Sequence, residues 1–223
     1  MIEPFSLSNW TPISFSGLFD KIEKIEIKSL EFSYIPEKPL LKDFSISLKR
    51  GQKAVIKGAT GKGKTTIFRL LMKMYETEKS SIFLNGLDIK SLPSPFVRQK
   101  IALAGNEVPL SEETLRENLL YGVTTYNNEL FQKCLKYIGI EESQLDAKIQ
   151  SGTIHLSEGE KQKISVARAL LREPEILLLD EVCSSIDNES VANLLELISQ
   201  VPVVIAVSRK PEIIAAADIV VLI

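Results

Sequence analysis

The chain has 223 residues, 44% of them hydrophobic and 25% charged, the composition of an ordinary globular protein long enough for one sizeable core with an attached subdomain. A net charge of −2 provides no global basic field, so nucleic acid is excluded as the main partner and any anion site is local. The two cysteines, Cys134 and Cys183, lie far apart and outside metal-ligand spacing, which argues against structural zinc or a disulfide framework, and no apolar run approaches the roughly 18 residues a membrane-spanning helix needs.

The start of the chain, MIEPFSLSNWTPISFSGLFDKIEK, lacks the basic start and cleavage pattern of a secretory signal. With Trp10 and several Phe and Ile among small polar residues, it reads as a linker that packs on something. From Ile25 to Lys57 the pattern is strand-like: Phe44, Ile46 and Leu48 alternate with Ser45 and Ser47, and a turn at Arg50-Gly51 leads into a buried apolar run. After a glycine loop, KTTIFRLLMKMY repeats Phe68, Leu71, Met72 and Tyr75 at three- and four-residue steps, which predicts a helix with one buried face. SIFLNGLDI predicts two short strands joined by an Asn85-Gly86 hairpin turn. Residues from about 107 to 172 read as mostly helical. EILLLDE, PVVIAVS and IVVLI are short apolar runs of the kind that form central parallel strands covered on both faces. The chain stops on such a run, with the look of a piece cut from a longer polypeptide.

The stretch Gly58, Ala59, Thr60, Gly61, Lys62, Gly63, Lys64, Thr65, Thr66 fits the pattern G, four residues, G, K, then S or T, and it lies after a strand and opens a helix. Glycines let the backbone N–H groups turn inward around a phosphate, and the helix start adds partial positive charge. The pattern places Lys64 to bridge the β- and γ-phosphates of a nucleotide and the Thr65 hydroxyl to hold Mg²⁺. EILLLDE supplies a second magnesium anchor in Asp180, with Glu181 beside it as candidate general base for an attacking water.

In order, FSY (Phe32 to Tyr34), the phosphate loop, TLRENLLYG (Thr114 to Gly122), LSEGEKQKISVARAL (Leu156 to Leu170), ILLLDEVCSSID and VVIAVSRKPEII resemble the nucleotide-binding domain of ABC transporters, exporter branch, from about residue 25 onward. The resemblance implies an α/β fold: a P-loop NTPase with a RecA-like core, an N-terminal antiparallel β-subdomain and an inserted helical subdomain. It divides the chain into residues 1–22, a linker to a membrane domain, and 23–223, the nucleotide-binding domain, with the helical subdomain at about 107–172. It implies ATP and Mg²⁺ as cofactors, and as partners a second nucleotide-binding domain, same or different, that clamps two ATP molecules head to tail, and a transmembrane domain at whose cytoplasmic face the chain would sit. TLRENLLYG would face the membrane domain's coupling helix, Tyr34 would stack on adenine, and Asp187 would lie on a loop that contacts the opposite protomer; by itself Asp187 reads as a helix cap.

Several positions depart from the family's pattern. LSEGE stands where the family has LSGGQ, which presents its serine and helix start to the γ-phosphate of the partner's ATP. Ser157 and Gly159 are kept, whereas Glu158 replaces a glycine and Glu160 a glutamine. A carboxylate about 6 Å from that phosphate would cost on the order of 2–3 kcal/mol per charge pair at an effective dielectric of about 20, unless it points away or Lys161 and Lys163 neutralise it. Ordinary helix capping is the other reading of Glu160. Asn106 stands where a glutamine would touch Mg²⁺ and the attacking water, and Ser208 or Arg209 where a histidine would contact the γ-phosphate. The single histidine, His155, reads as a surface or packing residue. The expectation is therefore an exporter's Mg-dependent ATPase with slow turnover. Its rivals are a low-turnover half of an asymmetric pair and a soluble ABC ATPase of translation or repair.

Overall fold

The computed structural model describes residues 18–105, 110, 111, 113–149 and 156–223. Trp10, Asn106 and His155 lie outside them.

Strand β1 (Lys24–Phe32) pairs antiparallel with β2 (Leu41–Lys49), with Ile25 opposite Leu48 and Ile27 opposite Ile46. The predicted alternation of β2 holds: Leu41, Phe44, Ile46 and Leu48 are buried, while Lys42, Ser45, Ser47 and Lys49 are exposed. On the other side of β1 lie β4 (Ile82–Leu84) and β5 (Leu87–Asp88), joined at Asn85-Gly86. Both turn residues have positive φ, 51° and 81°, as a tight two-residue hairpin requires.

A second sheet is parallel, in the order β6 (Ile101–Gly105), β7 (Ile176–Asp180), β8 (Val203–Val207), β3 (Lys53–Lys57), β9 (Ile219–Leu222). Alternate residues of β7 serve different cores. Leu177 and Leu179 pack with the helices named next, while Ile176 and Leu178 pack towards the antiparallel sheet. A sheet covered on both faces explains why its strands read as continuous apolar runs. Register aligns Gly105 with Asp180, and Asp180 with Val207, so three strands end level at their carboxyl ends, where ligands collect in such folds.

Over the region expected to be helical, the described residues form α3 (Leu115–Leu119), α4 (Asn128–Ile138) and α5 (Glu158–Leu170). Thr114 and Glu117 make a capping box at α3, and Asn127 caps α4, which stops at Gly139 with φ 85°. Asn118, fully buried, accepts from Arg168 through both its backbone and side-chain oxygens, which ties α3 to α5. Cys134 and Cys183 are core residues, and burial pushes their thiols up to about 12 and about 11.

Three features differ from the expectations. Strand β6 and helix α2 (Ser94–Lys100), which precedes it, had no predicted counterpart. The short helices α6 (Asn188–Leu197) and α7 (Pro211–Ala215) complete the outer layer. Helix α1 (Lys64–Leu71) ends a turn early, so Tyr75 is not on its buried face. Lys73 adopts a left-handed φ of 51°, the N–H groups of Lys73 and Met74 close the last turn on the Leu70 and Arg69 carbonyls, and Arg98 donates to the carbonyls of Met72 and Lys73 just beyond it.

Candidate functional site

Gly61 and Gly63 have φ of 80° and 92°, the region that favours glycine, and a Cβ at Gly63 would lie 2.5 Å from the Leu41 side chain. The backbone therefore reverses tightly between β3 and α1, and α1 begins at Lys64. Lys64 is only 7% exposed; its Nζ donates to the carbonyls of Gly58 and Ala59 at 3.0 and 2.9 Å. The ammonium is thus held inside the loop, near where an anion would enter. Lys62 sits on the exposed turn of the same loop, its N–H donating to the Ala59 carbonyl.

A cleft of about 610 Å³ opens beside this loop, lined by Tyr34, Thr60, Gly61, Gly63, Lys64, Thr65, Thr66, Asp180 and Glu181. Residues 117 positions apart in sequence, Lys64 and Glu181, meet here because β3 and β7 end on the same side of the sheet. Glu181 has a φ of 54°, rare for a side chain with a Cβ, and its N–H donates to the Val207 carbonyl at 3.1 Å. Strain of this kind, of order 1–3 kcal/mol, persists where surrounding structure imposes it and gathers at functional sites. Tyr34 shares a 3.1 Å hydrogen bond with the Thr66 hydroxyl.

The cleft contains residues the sequence reading missed. Leu103 and Gly105 come from the unpredicted β6; Leu40, Met74 and Arg69 also line it. Arg69 follows Thr65 by four residues on α1, so the one-turn spacing that places both on one face is the signal that was available. Of the two candidates for the histidine's position, Arg209 reaches the phosphate loop, donating to the Thr60 hydroxyl at 3.0 Å. Ser208 is buried and its hydroxyl accepts from the Lys210 N–H.

Ser157 and Gly159 lie apart from this cleft, at the start of α5. There Ser157 and Glu160 form a reciprocal cap. The Glu160 N–H donates to the Ser157 hydroxyl, and that hydroxyl donates in turn to the Glu160 carboxylate at 2.7 Å, which also accepts the Ser157 N–H. These two bonds from Ser157 hold the Glu160 carboxyl below the usual carboxylate range. The capping reading of Glu160 is the one realised. Glu158 is exposed, 3.6 Å from Lys161, a surface pair of little energetic weight; Lys163 lies over the Tyr137 ring.

Helix α5 is fastened to its surroundings at two points. Gln162, buried, donates to the hydroxyls of Ser184 and Ser185 and accepts the Ser185 N–H, and a Cβ at Gly159 would lie 3.0 Å from the Ser185 carbonyl. The Ser165 hydroxyl both accepts from the Gly105 N–H and donates to its carbonyl, each at 3.1 Å. Further on, Lys210 donates to the Ile186 carbonyl at 2.8 Å.

Asp187 caps α6, its two oxygens accepting from the N–H and hydroxyl of Ser190, which lowers its carboxyl from 3.8 to about 2. Because the folded state resists the proton that the unfolded chain takes up at 3.8, this stabilisation is present above that pH and is lost as pH falls towards about 2. Removing the carboxylate in Asp187→Ala is expected to lower the melting midpoint at neutral pH and to flatten its fall across that acid window, as measured by circular dichroism.

As a donor set for a divalent cation, the cleft offers the Thr65 hydroxyl and the Asp180 carboxylate. Among the described residues no three His, Cys, Asp or Glu side chains gather into an all-protein metal cage. One or two hard oxygen donors beside a phosphate site fit magnesium, which keeps waters and takes the rest of its ligands from phosphate. No helix among the described residues is long and apolar enough to cross a membrane.

Comparison with known proteins gives the same picture. The chain is 32% identical over 184 residues to the mitochondrial iron-sulfur clusters transporter atm1 of Neurospora crassa, covering 80% of this chain and 26% of that one. It is 31% identical to the heterocyst differentiation ATP-binding protein HepA of Nostoc, covering 87% and 33%, and 32% identical to ATP-binding cassette sub-family B member 6 of Xenopus tropicalis, covering 77% and 21%. The fold superposes on a bacterial Atm1-family ABC exporter solved with ATP bound, with a TM-score of 0.82, 24% identity and coverage of 92% of this chain and 38% of that one. The chain thus spans between about a fifth and two fifths of the length of these proteins. The family model for the ABC transporter matches residues 41–184, from β2 through the phosphate loop, α5 and β7, and with a match over that span the chain belongs to the ABC transporter family.

Proposed function

We propose that this chain binds ATP with magnesium in the cleft beside α1, hydrolyses it, and drives export through a membrane domain joined to residues 1–22 or carried on another chain. The observation that carries this reading is the convergence of Lys64, Thr65, Asp180 and Glu181 on one cleft beside a glycine loop in left-handed conformation. Lys64 exchanges its two loop carbonyls for β- and γ-phosphate oxygens. Thr65 and Asp180 hold the magnesium, which when bound neutralises charge on the phosphates. Glu181 accepts the proton of the attacking water, and Arg209 supplies a cation beside Thr60 where the family's histidine would stand. Asn106 follows Gly105 at the end of β6 and is assigned to the water's shell. The name of the Atm1-family ABC exporter supports export as the work done, and TLRENLLYG is assigned to the face towards the membrane domain.

One observation favours a second reading, a half-site of low turnover in an asymmetric pair. The Ser157 hydroxyl, which the resemblance assigns to a partner's γ-phosphate, is already donating to Glu160. The pair of domains would have to break this bond, or admit the carboxylate beside the phosphate, in order to close.

Phosphate release measured on the isolated chain, with ATP in the presence of magnesium or of chelator, tests the first reading. Slow, magnesium-dependent release is expected, and none in either condition sinks it. Sedimentation with excess ATP, in a Glu181→Gln background, tests the second. The chain is expected to stay monomeric and Glu160→Gln to promote a dimer, since Gln at this position keeps the cap but not the charge. A dimer formed equally well with Glu160 present would show that the carboxylate does not oppose closure.

A further inference from the structure

Beyond α1 the chain does not leave the site. The left-handed turn at Lys73, held by Arg98, sends Tyr75 back to meet Tyr34 with ring centroids 5.2 Å apart and planes at 84°. Phe32 completes a three-ring cluster, 5.0 Å from Tyr34 at 89° and 6.0 Å from Tyr75. Edge-to-face contacts of this geometry are favourable and directional. Tyr34 is nevertheless 47% exposed and Tyr75 42%, so these two rings stand outside the hydrophobic core against which Phe32 packs. Tyr34 is also pinned at its far end by the Thr66 hydroxyl. A half-exposed aromatic fixed by two rings and one hydrogen bond, on the wall of a cleft, has lost most of its rotamer freedom before any ligand arrives.

We propose that Tyr75 is a positioning residue for the purine end of the cleft: by holding the Tyr34 ring it presents a preordered aromatic wall to the base of the nucleotide. The inference rests on the nucleotide reading above. Tyr75 itself does not line the cleft, so it acts through Tyr34. Ordering a side chain at the moment of binding opposes affinity, and a brace removes that opposition in advance. Because the Lys64 ammonium is held by the Gly58 and Ala59 carbonyls and by neither tyrosine, the effect is confined to ligands that carry a base.

Isothermal titration with Mg-ATP and with magnesium tripolyphosphate, which has the phosphates but no base, tests the proposal on Tyr75→Leu, Tyr75→Phe and Tyr34→Leu. Tyr75→Leu is expected to weaken ATP about three- to tenfold and to leave tripolyphosphate unchanged, and Tyr75→Phe to bind ATP as the parent chain does. In a Tyr34→Leu background, Tyr75→Leu is expected to add nothing further. Equal losses for ATP and tripolyphosphate, a full loss that persists without Tyr34, or no loss at all would overturn it. If Lys64→Ala abolishes binding while the Tyr75 series is flat, only this inference fails; if the parent chain binds neither ligand, the nucleotide reading fails with it.

Discussion

Lys64→Ala is expected to lower ATP affinity by at least about a hundredfold, the largest single loss available in the cleft. A buried ammonium that bridges two phosphates makes charge-assisted hydrogen bonds at low effective dielectric, each worth roughly 1.5–3 kcal/mol, and two such bonds account for a loss of this size. Arg209 also brings positive charge to the loop, but it is exposed and engaged with Thr60, so it does not replace a cation enclosed by the loop. The loss should come without unfolding, because among the described residues the Lys64 ammonium bonds to two carbonyls of its own loop. Fluorescence titration with a labelled ATP analogue, beside a melting curve, measures both. Equal affinity in parent and variant would remove the phosphate-loop assignment.

Glu181→Gln is expected to reduce phosphate release by roughly a hundredfold to ten-thousandfold, with ATP affinity retained, as loss of a general base produces. The amide keeps the shape and the left-handed backbone but cannot take the water's proton. Binding and rate separate the two carboxylates: Glu181→Gln should change the rate alone, whereas Asp180→Asn should weaken binding only when magnesium is present. An unchanged rate in Glu181→Gln would show that the base has been misassigned.

Sequence carried the fold class and picked out four residues that share one cleft, but it did not carry every element around them. The glycine loop and EILLLDE each hold their chemistry within a few adjacent residues, so spacing alone located Lys64, Thr65, Asp180 and Glu181. Strand β6 was illegible because IALAG has one β-branched residue, Ile101, among Ala, Leu and Gly, and owes its conformation to pairing with β7. The end of α1 misled for a related reason. Its apolar spacing continues to Tyr75, whereas the helix stops at a left-handed Lys73, a residue type that does not signal such a cap, with Arg98, twenty-six residues after Met72, donating to the Met72 and Lys73 carbonyls. Glu160 was ambiguous in sequence because a capping residue and an inhibitory carboxylate occupy the same position, and only the direction of the side chain distinguishes them. Arg209 was preferred over Ser208 only once its reach to Thr60 was seen.

The two hydrogen bonds between Ser165 and Gly105 fasten α5 to the tip of β6. A single hydroxyl satisfies both the amide and the carbonyl of the residue that precedes Asn106, leaving no slack between them. Through Arg168 the same helix is tied to Asn118 on α3, so the helical layer and the strand end level with Asp180 share one chain of hydrogen bonds. Ser165→Ala would leave the buried Gly105 N–H and carbonyl without these partners and loosen the tie, while the helix and strand still pack together.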